Sequence, residues 1–455
     1  MTPAHGPDDF EAMARRLVAD EANVFWLDAG PDATDGWSYL GRGTRTLSAR
    51  GGVVRVGGDV TGSDVLTTLS QLVENAAASD PAAASDQAAA SGGPMFRGGW
   101  VGVLGYEYGA GLVGVPRSTS DLPDALFVEC DLLWSLDHRT GAVTRILGDD
   151  TTLADMSGRP AVPPSSDAPS GAGPTVHWRH DRVGYMSAIA ASLDAISRGD
   201  AYQVCLTNEA IVETPADPFE VYLRLRRENP APHGCFLRID DVAVAGCSPE
   251  RFLAVSSDGA VETRPIKGTR RRDPDPHVDA ELASELRSDE KERAENLMIV
   301  DLMRNDLGRV AALGSVDVPD LFAVESYPSV HQLVSTVTAQ LAPGLTGIDA
   351  VRASFPAGSM TGAPKHRAMS LLHDLEGGPR GLYAGAIGWF GADGAVDLAM
   401  VIRSIVFADG MARIGTGGGI TALSDPSREV DETLLKARPL LAALGAPATL
   451  PDPSA

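Results

Sequence analysis

The stretch Leu382–Phe407, LYAGAIGWFGADGAVDLAMVIRSIVF, carries two apolar runs around Asp393-Gly394. Asp-Gly between apolar runs is a strong hairpin signal, because both residues tolerate the positive φ that a tight turn between twisted strands requires. The stretch therefore predicts two antiparallel strands, Leu382–Phe390 and Val396–Phe407. Elsewhere the helical patterns fall between pairs of strands rather than after each strand. That order favours an α+β fold with antiparallel sheets over a doubly wound parallel sheet.

Downstream, strand 411–415 runs into Gly415-Thr416-Gly417-Gly418-Gly419. This run reads either as a flexible turn or as a nest of backbone N–H groups for a carboxylate or phosphate. It lacks the lysine of a P-loop. A last helix is expected from Asp425 to Leu444. Upstream, Phe355–Pro364 is a Gly/Pro loop feeding helix 365–375, residues 331–341 alternate as a strand, and one long helix spans 279–303. Before it lies Glu262–Arg272, ETRPIKGTRRR. Pro265 has no N–H to donate and Gly268 permits a turn, so Lys267 is expected on a rigid strand-to-loop corner. Its side chain is either aimed at a site or solvated beside Arg270–Arg272. Strands at 201–209, 235–239 and 242–247 and helices at 181–197 and 218–227 precede it. The first third is strand-rich, with a helix at 10–22, strands near 23–30, 38–41 and 53–56, a strand entering a turn at Trp100–Tyr108, and two strands within 123–147. Residues 77–93 read as a loop. Residues 156–174, rich in Pro, Ser and Gly, read as a linker, which divides the chain into 1–175, 176–445 and a tail, 446–455.

The chain has 455 residues and is 44% hydrophobic, enough for a sizeable core. With 38 basic and 61 acidic residues its net charge is −23. That balance excludes the cationic footprint of a nucleic-acid binder and argues against docking on an anionic membrane. The four cysteines form no CxxC pair, consistent with free thiols in a reducing cytoplasm. There is no signal-peptide pattern and no membrane-length apolar run. A soluble, cytoplasmic protein is expected.

Several side chains are candidates for chemistry. Glu292 and Glu295 share one helix face, and Glu429 and Glu432 share another, with Lys436 four residues on. Four carboxylates converging from two helices suit a hard cation such as Mg2+, while each helix alone reads as a solvated charged face. Arg403 stands in an apolar strand, where burial would demand an anion. Tyr383, in a similar strand, reads as core. Glu250 follows Ser248-Pro249 at a strand end, as a general acid if half-buried or as a plain surface carboxylate if not. Lys267 is a nucleophile if its environment keeps it neutral.

Eight motifs in order resemble the chorismate-utilising enzymes: Ala201–Thr207 (AYQVCLT), Ser248–Phe252 (SPERF), Pro265–Arg270 (PIKGTR), Asp289–Arg309, Leu333–Thr336 (LVST), Gly358–Arg367 (GSMTGAPKHR), Leu382–Ser404 and Gly415–Arg438. Residues 176–445 thus resemble the chorismate-binding catalytic domain. Residues 1–175, through Gly98–Glu107, resemble the N-terminal region of anthranilate synthase component I. The resemblance implies large antiparallel sheets packed as a sandwich with helices outside. It implies Glu295 and Glu432 as Mg2+ ligands, with Glu292 and Glu429 holding its waters. Gln203, Thr361, Gly362, Tyr383, Arg403, Gly417, Gly418, Gly419 and Lys436 become substrate-binding residues, and Glu250 the acid that protonates the departing C4 hydroxyl. Water-using members carry a lysine where this chain has Gln203, so ammonia is the implied nucleophile. The PIKGT form implies Lys267 as a covalent catalyst for amination of chorismate to 4-amino-4-deoxychorismate, on the route to 4-aminobenzoate and folate. A separate glutamine amidotransferase subunit would supply the ammonia. The alternatives are formation of anthranilate, or a catalytically silent subunit that only binds the amidotransferase. Two departures stand out: Gln332 occupies a position that is usually His, with His331 one residue earlier, and Cys205 replaces a usual Asn.

Overall fold

The computed structural model describes residues 6–79, 93–148, 174–327 and 330–451. Two large antiparallel sheets dominate. The first runs Val176–Trp178, Gln203–Glu213, Met411–Thr421, Ser404–Ala408, Val242–Ser248, His233–Ile239, Val24–Asp28, Trp37–Arg42, Leu132–Asp137 and Ala142–Leu147, with Gly362–Ala363 beside Gln203–Glu213. The second runs Ile266–Arg271, Val330–Gln340, Ala260–Thr263, Arg251–Val255, Val396–Met400, Ala386–Gly391, Gly99–Leu104, Ala125–Glu129, Thr46–Arg50, Val53–Val56 and Asp59–Gly62, with Asp317–Ser326 beside Val330–Gln340.

The sheets face each other. Phe25, Leu133 and Leu237 of the first pack with Val101, Val103 and Trp389 of the second in one buried cluster. Alternation makes this possible, because each strand turns every second side chain inward. The outer face of the first sheet is covered by helices contributing Phe10, Leu17, Tyr222 and Leu440. That of the second is covered by Leu66, Ile299, Met303 and Val351. The α+β sandwich with helices outside is the observed architecture. Among the described residues, no helix is long and apolar enough to cross a membrane.

Strands from before and after the expected linker share both sheets. Val24–Asp28 pairs with His233–Ile239, and Gly99–Leu104 with Ala386–Gly391. Residues 156–173 of that linker, and 80–92 of the loop expected at 77–93, lie outside the described residues.

The hairpin around Asp393-Gly394 forms, with Phe390 opposite Val396 and Gly394 at φ +86°. Its second apolar run is not one strand, however. Val396–Met400 belongs to the second sheet and Ser404–Ala408 to the first. Arg403 sits between them at φ +51°. A second crossing joins Val242–Ser248 to Arg251–Val255 through Pro249-Glu250. The two crossings are tied together: the Cys247 N–H donates to Arg403 O and the Met400 N–H to Glu250 O, both at 3.0 Å.

Other elements differ from expectation for local reasons. The helix expected at 279–303 is two, Pro276–Ser288 and Glu290–Gly308. Asp289 separates them because its carboxylate caps the N–H groups of Lys291 and Glu292. Gly99–Leu104 leads into a helix, Tyr106–Val113, rather than a turn. The region 123–147 holds three strands, and part of the loop expected at 77–93 ends a helix, Val65–Ser79.

Candidate active site

Lys267 is held by a distorted strand, not by a strand-to-loop corner. Ile266 pairs with Val334 and Thr269 with Gln332, so three residue steps on one strand face two on the other. The extra residue makes a β-bulge at Lys267-Gly268, a device that re-aims a side chain. Gly268 takes φ +82°, and a Cβ there would sit 3.0 Å from the Glu292 carboxylate. The bulge is anchored at its start by Pro265 O, which accepts from Ser335 N at 3.2 Å and Asn296 Nδ2 at 3.3 Å.

The glycine run opposite is neither turn nor loop. Met411–Thr421 is one continuous strand, paired residue by residue with Gln203–Glu213. The glycines clear room for other groups. A Cβ on Gly415 would enter the Tyr383 ring. One on Gly418 would lie 3.3 Å from Glu429 Oε2, and one on Gly419 would lie 2.6 Å from Gln203 Nε2 and 3.3 Å from Lys267 Nζ. On the strand's other edge, pairing with Ser404–Ala408 covers only Met411–Arg413. The Gly417 carbonyl accepts from Lys436 Nζ at 2.9 Å, so its peptide groups point to that open edge. By the alternation of an antiparallel ladder those of Gly415 and Gly419 do too.

These elements enclose a cavity of about 570 Å3. Lys267, Glu250, Tyr383, Arg403, Lys436 and Gly417–Gly419 line it, together with Glu292 and Glu295 from Glu290–Gly308 and Glu429 and Glu432 from Pro426–Ala443. Both sheet crossings open onto it. Burial pushes the Glu250 carboxyl up to about 7, against the pull of Lys267. A carboxyl there is poised between acid and base near neutrality.

The four glutamates are interleaved with cations. Lys291 Nζ lies 3.8 Å from Glu295 and 3.6 Å from Glu429, Lys436 Nζ 2.7 Å from Glu432, and Arg270 3.8 Å from Glu292. Burial raises Glu295 and Glu292 above the usual carboxylate range. Glu432 feels the same burial, but Lys436 brings it below its ordinary value. Among the described residues, no three carboxylates, thiols or imidazoles form a ready-made metal cluster. The donor chemistry nevertheless fits a hard divalent cation that keeps its waters, since every candidate ligand is a carboxylate oxygen. Arg270 is engaged by Asp289 at 2.8 Å and Glu285 at 3.2 Å as well as by Glu292.

Other expected residues are placed differently. Arg403 is not in an apolar strand; it is exposed, and its side chain reaches the cavity. Tyr383 lies in a turn rather than a strand, although its ring is buried as expected. Thr361 and Gly362 do not line the cavity. The Thr361 hydroxyl donates to Ala357 O and Gly358 O, its carbonyl accepts from Cys205 N at 2.9 Å, and Gly362 pairs with Val204. Their neighbours Ser359 and Met360 face the cavity instead. Gln203 is fully buried behind Gly419, and among the described residues neither atom of its amide has a hydrogen-bond partner. Gln332 faces the cavity, whereas His331 points away to Asp279 at 2.9 Å and Ser326 at 2.8 Å. A one-residue offset on a strand reverses the side chain's facing, so His331 does not stand in for Gln332. Lys291, Ser359 and the buried Arg380 escaped the sequence reading. The Glu376/Arg380 spacing of four residues was the one available signal for Arg380.

The family profile of chorismate binding enzymes matches residues 41–442. The chain is 48% identical over 358 residues to the aminodeoxychorismate synthase of Streptomyces griseus, covering 75% of this chain and 49% of that protein. It therefore spans about half that relative's length. It is 39% identical to anthranilate synthase component 1 of Streptomyces coelicolor, covering 84% of this chain and 78% of that one. The solved anthranilate synthase component I of Streptococcus pneumoniae superposes with a TM-score of 0.76 at 30% identity, covering 89% of this chain and 92% of that one. Sheet sandwich, cavity and sequence agree: the chain belongs to the chorismate binding enzyme family.

Proposed function

We propose that this chain aminates chorismate at C4 to give 4-amino-4-deoxychorismate. The observation that carries this reading is Lys267, set on a bulge with Nζ against Gly419 and beside the Gln203 amide, in a cavity that also holds Glu250. Lys267 Nζ attacks ring C2. The two ring double bonds shift by one position each, the C4–O bond breaks, and the Glu250 proton leaves with the hydroxyl as water. Ammonia then adds at C4 and gives its extra proton to the Glu250 carboxylate, the double bonds shift back, and the C2–N bond breaks to return the lysine. The pyruvyl ether stays intact, and a separate lyase completes 4-aminobenzoate for folate. Arg403, Tyr383, Lys436 and the amides at the open edge of Gly417–Gly419 orient the substrate carboxylates. Thr361 and Gly362 shape the wall behind them.

Glu295 and Glu432 would hold Mg2+, with Glu292 and Glu429 holding its waters. When bound, the ion supplies charge neutralisation at the ring carboxylate. Ammonia comes from a glutamine amidotransferase subunit, and free ammonium substitutes for it. The four free, buried cysteines suit a cytoplasmic setting.

The test is incubation of the purified chain with chorismate, Mg2+ and ammonium, with and without the lyase. 4-Aminobenzoate that depends on the lyase supports the proposal. Fluorescent anthranilate formed directly would sink it and favour the anthranilate reading. No turnover in a folded sample would favour a silent subunit.

A further inference from the structure

Arg380 is a fully buried guanidinium outside the cavity, and the reaction scheme gives it no part. Four of its hydrogen bonds are short. Nη1 donates to Met360 O at 2.6 Å and Nη2 to Cys205 O at 2.8 Å. Nε and Nη2 grip Glu376 at 2.9 and 2.7 Å. The Tyr106 ring covers its face at 4.2 Å. Glu376 in turn accepts from the N–H and the hydroxyl of Thr207, both at 2.9 Å. Glu107 takes the N–H groups of Arg380 and Gly381 at 2.8 and 2.9 Å.

The two carbonyls are the informative partners. Cys205 and Met360 both line the cavity, and they sit on different segments. Cys205 shares its strand with Gln203, and Met360 adjoins Ser359. The turn that begins at Arg380 carries Tyr383. One rigid planar fork thus sets the spacing of three cavity walls, which a salt bridge alone would not require. We infer that Arg380 is a positioning residue that holds the Gln203 strand, the Ser359–Met360 turn and the Tyr383 turn in register around the Lys267 side chain. This rests on the cavity being the reaction site proposed above.

Arg226 supplies the control. It too is buried, paired with Asp28 at 2.6 Å and stacked over Trp26 at 4.7 Å, but none of its partners lines the cavity. Arg380→Lys keeps the charge for Glu376 but lacks the fork that spans both carbonyls. Its kcat for chorismate consumption should fall about 10- to 100-fold, as expected for small misplacements of reacting groups. Its chorismate KM should change less than its kcat, within about threefold, because Arg403 and Lys436, which also orient the carboxylates, are held from other walls. Hydrogen exchange at the Cys205 and Thr207 amides should speed up in Arg380→Lys and not in Arg226→Lys. An unchanged kcat, a loss matched by Arg226→Lys, or unchanged exchange at those amides would overturn the inference. If Arg380→Lys does not fold, Glu107→Gln decides. It loosens the Arg380 backbone without touching the guanidinium, and a smaller loss of kcat supports the inference while none overturns it. A wild-type chain that leaves chorismate untouched overturns the functional reading instead, and the exchange comparison still decides the role of Arg380.

Discussion

Asp28 and Gln203 are both buried polar side chains, in two regions that treat them oppositely. The Asp28 carboxylate accepts from Tyr222 Oη at 2.9 Å, Arg226 Nε at 2.6 Å, Gly30 N at 3.1 Å and Ser38 Oγ at 3.3 Å. Gln203, buried behind Gly419, has no hydrogen-bond partner among the described residues for either amide atom. A buried polar group without a partner costs stability, so native chains retain few of them. The seam at Asp28 spends its polar groups on holding the strand Val24–Asp28 to the helix Pro218–Glu228. At the cavity the Gln203 amide is left unpaired among the described residues, while four carboxylates are packed among Lys291, Lys436 and Arg270, the kind of clustering that marks a candidate functional site.

The comparison can be broken in order of effect. Lys267→Ala should remove most 4-amino-4-deoxychorismate formation while leaving the fold intact; unchanged product and rate would rule out the covalent role. Glu250→Gln should cost about 10²- to 10⁴-fold in rate, the range for a positioned acid. The wild-type rate should also fall as pH rises through about 7, where the buried Glu250 carboxyl loses its proton. A pH profile of Glu250→Gln that keeps the same falling limb would assign it elsewhere. Arg226→Ala, on the paired side, leaves the buried Asp28 carboxylate without its counter-charge and should destabilise by about 3–5 kcal/mol. Its kcat should hold, as urea titrations beside initial rates would show. Gln203→Met should do the reverse, raising the urea midpoint by about 1 kcal/mol of stability while lowering turnover. The smallest effect concerns Glu107, whose carboxyl burial pushes from 4.5 up to about 7. Its raised value favours folding of the protonated form. That contribution is complete below pH 4.5 and is lost as pH rises through about 7. Melting temperature should therefore fall less between pH 5 and 7.5 in Glu107→Gln than in wild type.

Much of this was legible in the residues. Period-two alternation and Asp393-Gly394 announced antiparallel sheets, and the ordered motifs brought Lys267, Glu250 and the four glutamates into one cavity. What stayed hidden was backbone geometry that side-chain pattern does not encode. Val396–Phe407 reads as one apolar strand because both of its halves are buried, yet the chain changes sheets at Arg403. The run Gly415–Gly419 reads as a turn or an N–H nest because glycine is the usual residue of both. Here it is a strand whose missing side chains admit the Tyr383 ring, the Gln203 amide and Lys267. The apolar and acidic pattern of 279–303 continues across Asp289, so only the cap chemistry divides it. The role of Arg380 is hidden because two of its partners are backbone carbonyls, which every sequence has, and Glu376 is its one carboxylate partner on the guanidinium.

The interleaving of the two sheets also governs how such a chain is made. Gly99–Leu104 finds its neighbour in Ala386–Gly391, and Val24–Asp28 in His233–Ile239. A ribosome delivers the first third long before either partner exists, and contacts of such separation form slowly. The early strands must wait with open edges, the state most prone to pairing with another chain. The first third expressed by itself should be insoluble, and the nascent chain should depend on chaperones until the Ala386–Gly391 strand has emerged.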